Sequence, residues 1–125
     1  MRVALLRRAD PWLPPLLLMA VIFVLSAQPS LNSGLGTIDT VGRKFVHFGE
    51  FALLTALWWR ALTTRMAPRL ALTAALLISV AYAGTDELHQ HFVSGRHTSP
   101  IDWLIDTAGA SAAALYLRSR ARTPA

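Results

Sequence analysis

The residues able to do chemistry in this 125-residue chain fall into three short stretches. Lys44, His47 and Glu50 recur at three-residue steps, which puts them on neighbouring positions of one helical face. Asp86, Glu87 and Gln90 form the second set, and Asp86 and Gln90 share a face wherever helical geometry continues through them. Arg96, Ser99, Asp102 and Asp106 form the third, with Asp102 and Asp106 one helical turn apart. Both signs of charge are represented. An imidazole beside carboxylates is the material of general acid–base work near neutral pH, here His47 oriented by Glu50 or Asp86. Lys44 and Arg96 are the natural holders of an anionic group, since a guanidinium offers forked donors to phosphate oxygens.

Other chemistries are set aside by the same reading. The chain has no cysteine, so disulfides, thiolate metal sites and a cysteine nucleophile are excluded. His89 and His91 flank Gln90 at a two-residue spacing, whereas a helical zinc pair needs three or four. No metal and no cofactor is therefore expected. No Pro-Ser-Gly-His phosphatase element and no nucleophile elbow occurs.

The elements that must carry these residues are oily. Apolar residues make up 54% of the chain and charged residues 15%, against roughly 45–50% and 25% in a soluble domain. Four apolar runs stand out, at about 11–27, 45–62, 69–84 and 101–117, each near the roughly 17–25 residues a membrane helix needs. They are apolar nearly all round, and four short helices cannot bury each other's entire surface, so lipid is the better solvent for their outer faces. The expected fold is all-α: one domain over 1–125, a four-helix transmembrane bundle. Arg2, Arg7 and Arg8 before the first run resemble a signal peptide, but Leu25-Ser26-Ala27 lacks the small-residue pattern of a cleavage site, so a retained first span is expected.

Arginine sets the orientation. Of the 12 basic residues, nine (Arg2, Arg7, Arg8, Arg60, Arg65, Arg69, Arg118, Arg120 and Arg122) fall on one side of the four runs. The positive-inside rule then makes both termini and the middle connector cytoplasmic. A basic chain can also signal nucleic acid, but these arginines border apolar runs, and no nucleic-acid partner is expected. On this map the third helix ends near Gly84, with Asp86, Glu87 and Gln90 following at the outer surface. Trp12, Trp58, Trp59, Trp103 and Tyr116 lie near span ends and read as interface belts. Asp10-Pro11 reads as a helix start, and Ser99-Pro100-Ile101-Asp102 has the form of a capping box. Gly109, Ala110 and Ala113 continue the face of Asp106 and would let a neighbouring helix approach. Three helices thus bring their ionisable groups to one outward level, and such residues inside spans mark a site or a pairing network.

Taken in order, these residues resemble the VanZ-like family of small bacterial membrane proteins. The likeness begins with Ile22-Phe23-Val24-Leu25-Ser26-Ala27-Gln28-Pro29 and continues with Lys44-x-x-His47-Phe48-x-Glu50-Phe51. Its most specific part is Asp86-Glu87-x-x-Gln90-x-Phe92-x-x-Gly95-Arg96-x-x-Ser99-x-x-Asp102-x-x-x-Asp106-x-x-Gly109. Asp106 stands where the family often has asparagine, and Ala113 where another glycine is common. The family takes its name from a member linked to low-level teicoplanin resistance. The resemblance therefore implies an inner-membrane protein acting near the envelope's outer face, with membrane lipids and a lipid-linked cell-wall precursor as partners. Three functions are open at this point. The first is a module that binds or modulates a lipid-linked envelope component. The second is an enzyme on a lipid-linked phosphate or glycan. The third is a proton-coupled exporter, although the first span lacks the acidic residue that small four-helix exporters carry there.

Overall fold

A computed structural model describes residues 10–27, 36–93 and 100–122. It contains four helices among the described residues: α1 (Leu13–Ser26), α2 (Thr37–Leu62), α3 (Pro68–His91) and α4 (Pro100–Arg122). No strand occurs among the described residues. The α2–α3 connector is a tight turn closed by its own backbone, with Thr63 N donating to Trp59 O (3.0 Å) and Met66 N to Leu62 O (3.0 Å). Such a short connection forces α2 and α3 to lie side by side and antiparallel. α2 and α3 each pack on all three other helices.

Each helix starts and stops for a local reason. Asp10 accepts a hydrogen bond from the Trp12 amide (2.8 Å), and the helix begins at Leu13 with proline in its first turn. This is two residues later than the expected start at Pro11, and it leaves a helix of 14 residues, about 21 Å long. α2 starts at Thr37 rather than near Phe45, after Gly36, whose φ of 55° is the left-handed region that favours glycine. α3 opens with Pro68, whose missing N–H costs nothing in a first turn.

The expected end of the third helix near Gly84 is corrected: α3 runs on to His91. Gly84 is not a stop. It is an interior residue whose hydrogen faces Trp103, where a Cβ would sit 3.5 Å from Nε1. Because the helix continues, Asp86 and Gln90 are buried in the bundle, and not at its outer surface as the sequence suggested. α4 likewise extends past the expected Leu117, to Arg122.

Packing follows the small residues. The buried stripe of α3 is Ala71, Ala75, Ser79, Ala83, Asp86 and Gln90, stepping by three and four. One core joins Ile22, Phe51, Leu54, Ala83 and Ala110, and a second joins Leu62, Ala71 and Ala75. Trp58, half-buried, packs against both cores and meets Trp12 edge-on at 6.3 Å. α2 and α4 run parallel and cross at Gly109, where a Cβ would collide with the backbone carbonyl of Phe48.

Polar residues lie among the buried ones and leucines among the exposed ones. Ser26, Thr55, Ser79, Asp86, Gln90 and Asp106 are buried. Leu16, Leu17, Phe23, Leu53, Leu70, Leu77, Leu104 and Leu115 point outward, each more than half exposed. α3 is the one described helix long and apolar enough by itself to cross a membrane, and α1 is apolar but shorter.

Candidate functional site

The carboxyl ends of α1 and α3 and the amino ends of α2 and α4 meet at one end of the bundle. That end gathers most of the polar residues singled out above. The parallel pair α2–α4 forms two rungs. In the outer rung Lys44 Nζ donates to Asp102 Oδ1 at 3.3 Å, with both side chains partly exposed. In the inner rung His47 Nδ1 lies 3.2 Å from Asp106 Oδ1. The rungs match because Lys44 to His47 is three residues and Asp102 to Asp106 is four, each close to one turn. Gly109 sets how closely these two helices can approach, one turn below the inner rung.

α3 closes the third side. Gln90 Nε2 donates to Asp86 Oδ2 (2.9 Å) and to Ser26 Oγ (3.1 Å), so one amide ties α3 to the last residue of α1. The helical continuity of α3 is what lets Asp86 and Gln90, four residues apart, bond along one face. Asp86 in turn lies beside the inner rung: ligand-capable atoms of His47, Asp86 and Asp106 all fall within 4.8 Å of one another. His47 thus lies against Asp106, a neighbour that the sequence reading, which offered Glu50 or Asp86, did not assign to it. Glu50 and Glu87 are half-buried, and Glu50 is within Coulombic reach of His47. Arg96 and Ser99 lie outside the described residues.

The histidines weighed as a zinc pair do not converge. His89 stacks on Phe23 with ring centroids 4.2 Å apart, while His91 is exposed against Phe92. The site also contains residues not counted among the candidates above: Ser26, which entered only within the family likeness, and Thr55 with Ser79. Ser26 is buried at the Gln90 amide, and deeper in the bundle Thr55 Oγ1 lies 2.9 Å from both Phe51 O and Ser79 Oγ. The signal for them was weak: a hydroxyl in an apolar run looks like any small residue that lets helices approach.

Beside the outer rung is an apolar groove of about 330 Å³, lined by Val41, Phe45, Phe48 and Ile105, with Lys44 among its walls. At the opposite end of the bundle, Arg69 and Arg118 share a cavity of about 550 Å³ with Trp59 and Leu117. Arg60, Arg65 and Arg120 are exposed towards that same end.

The VanZ/LLP1 family model matches residues 12–120, covering all four helices and every polar contact just described. The chain belongs to this family. No curated protein and no solved structure matches it. The VanZ-family pattern read from the sequence is thus distributed over all four helices. Its lysine, histidine, glutamine and aspartates occupy the contacts that hold one end of the bundle together.

Proposed function

We propose that this VanZ-family chain is an integral membrane protein that binds the anionic headgroup of a lipid-linked envelope component at the polar end of its bundle. In this reading all four helices cross the bilayer, the arginine-rich end is cytoplasmic, and the Lys44 end faces outward. The outward-pointing leucines then meet hydrocarbon, and the buried hydroxyls, amide and carboxylates face one another away from it. α2 and α4 fall short of the hydropathy of a lone span because they carry the site residues, which costs little once those residues face the bundle interior.

The observation that carries the binding reading is the juxtaposition of an apolar groove with Lys44. An amphiphile needs both: hydrocarbon surface for its chain and a cation for its phosphate. The Lys44 ammonium has three donors, Asp102 takes one, and the side chain is 37% exposed, so it can reach a headgroup. Asp102 holds the lysine at the groove mouth when no ligand is present.

The experiment is a comparison of two ligands on purified full-length protein in nanodiscs: a polyprenyl phosphate and the polyprenol of the same chain length. The phosphate should bind more tightly. Lys44→Ala should weaken phosphate binding by about tenfold or more, the value of a charge-assisted hydrogen bond, and leave the alcohol unchanged. Equal binding of phosphate and alcohol, or no binding of either, would remove the reading.

A further inference from the structure

The inner rung holds an arrangement that lipid binding does not use. His47 from α2, Asp86 from α3 and Asp106 from α4 each present a metal-ligating atom to a common space. The two aspartates are almost wholly buried, at 3% and 2% exposure, and the imidazole is 17% exposed. Two carboxylates this close and this deep repel each other and lose their hydration, which favours a cation between them. Lys44 lies a turn away and is already paired with Asp102.

A second, independent feature points into the same space. His47 Nδ1 and Asp106 Oδ1 are both shut off from water, and neither has an aligned hydrogen bond among the described residues, although they are 3.2 Å apart. Two buried polar atoms held side by side without a shared proton in line are placed as ligands of a third species are placed. We propose that His47, Asp86 and Asp106 bind a single divalent transition-metal ion of the zinc or manganese type.

The geometry suits such an ion. Metal–nitrogen and metal–oxygen bonds of about 2.0–2.2 Å put neighbouring donors of a tetrahedral ion roughly 3.3 Å apart. His47 and Asp106 already have that spacing. Every donor pair of the set, those with Asp86 included, lies within 4.8 Å. Gln90, anchored on Ser26, holds the other oxygen of Asp86 and so fixes the plane of that carboxylate, as partners behind a metal ligand do. One imidazole with two carboxylates selects transition metals over calcium or magnesium, which prefer oxygen alone. The open positions would take water or a ligand oxygen.

The test uses full-length protein purified with a histidine-free tag, stripped with chelator and dialysed against manganese or zinc with no lipid ligand added. Its outcome is therefore separate from that of the lipid experiment. A single ion per chain should be retained, and pulsed electron paramagnetic resonance of the manganese form should show nitrogen coupling from an imidazole. His47→Gln and Asp106→Asn should each weaken retention by about tenfold or more, a loss typical even of groups that only support metal ligands, while His89→Gln should not. Retention of no ion by wild-type protein would overturn the proposal, and so would a bound ion without nitrogen coupling. The wild-type readout decides the matter even where a variant fails to fold.

Discussion

Replacing Gly109 with alanine tests whether the α2–α4 crossing sets the geometry of the site. A Cβ at Gly109 would lie 2.9 Å from the Phe48 carbonyl carbon and 3.0 Å from its Cα, and would overlap the carbonyl oxygen. All three obstacles are backbone, so no side chain can rotate out of the way and the helices must separate. In an exposed helix the same change stabilises by about 1 kcal/mol through propensity. Overpacking of a tight contact costs about 1–3 kcal/mol and sometimes more. A clash with backbone alone belongs at the upper end of that range, about 2–3 kcal/mol, so the net expectation is destabilisation by about 1–2 kcal/mol. Gly49 is the internal control. It lies in α2 next to Phe48, yet a Cβ there meets nothing within 4 Å, so Gly49→Ala should stabilise by about 0.5–1 kcal/mol. Unfolding in detergent, followed by far-ultraviolet circular dichroism, measures both. The two glycines should move stability in opposite directions. Gly109→Ala as stable as wild type would refute the close crossing and with it the alignment of the two rungs.

Three further outcomes follow from the contacts. Thr55→Val leaves Ser79 buried without its partner hydroxyl and should cost about 0.6–1.7 kcal/mol, the range of interhelical hydrogen bonds in membranes, with Thr55→Val/Ser79→Ala recovering part of it by the same unfolding assay. Tyr82→Phe removes the hydrogen bond from Tyr82 Oη to the Met19 carbonyl and should loosen α1, read as faster amide exchange in α1 than in α2, with a loss near 1 kcal/mol. The chain has no cysteine, so single introduced cysteines report topology without background. A cysteine at Thr64 should resist an impermeant maleimide in intact cells, and one at the exposed Phe92 should react; the reverse pattern would invert the proposed orientation.

Much of the site was legible because helical spacing is a hard constraint. Lys44 with His47, Asp86 with Gln90, and Asp102 with Asp106 are each three or four residues apart, so each pair had to share a face. What spacing does not state is which face meets which. The matching of Lys44 to Asp102 and of His47 to Asp106 depends on the depth at which α2 and α4 cross, and Gly109 sets that depth. Gly84 misled because a glycine after an apolar run commonly ends a helix, whereas here it makes room for Trp103. The polar residues beyond it then looked like surface, although the helix carries them into the core. Thr55 and Ser79 escaped notice, and Ser26 entered only within the family likeness, because a lone hydroxyl in an oily run has no periodic signature of its own. Trp58 was read from its place near a span end, and spacing could not show that its ring also packs against both hydrophobic clusters.

The central claim is that the bundle turns its leucines to lipid and its costly polar groups to its own interior. Spin labels at Leu53 and Leu77, both outward-facing on α2 and α3, test it directly in reconstituted bilayers. Collision with dissolved oxygen should dominate collision with a water-soluble nickel chelate at both positions, and the ratio should fall for a label at Val93, just beyond the end of α3. Preferential collision with the chelate at Leu53 and Leu77 would contradict the account.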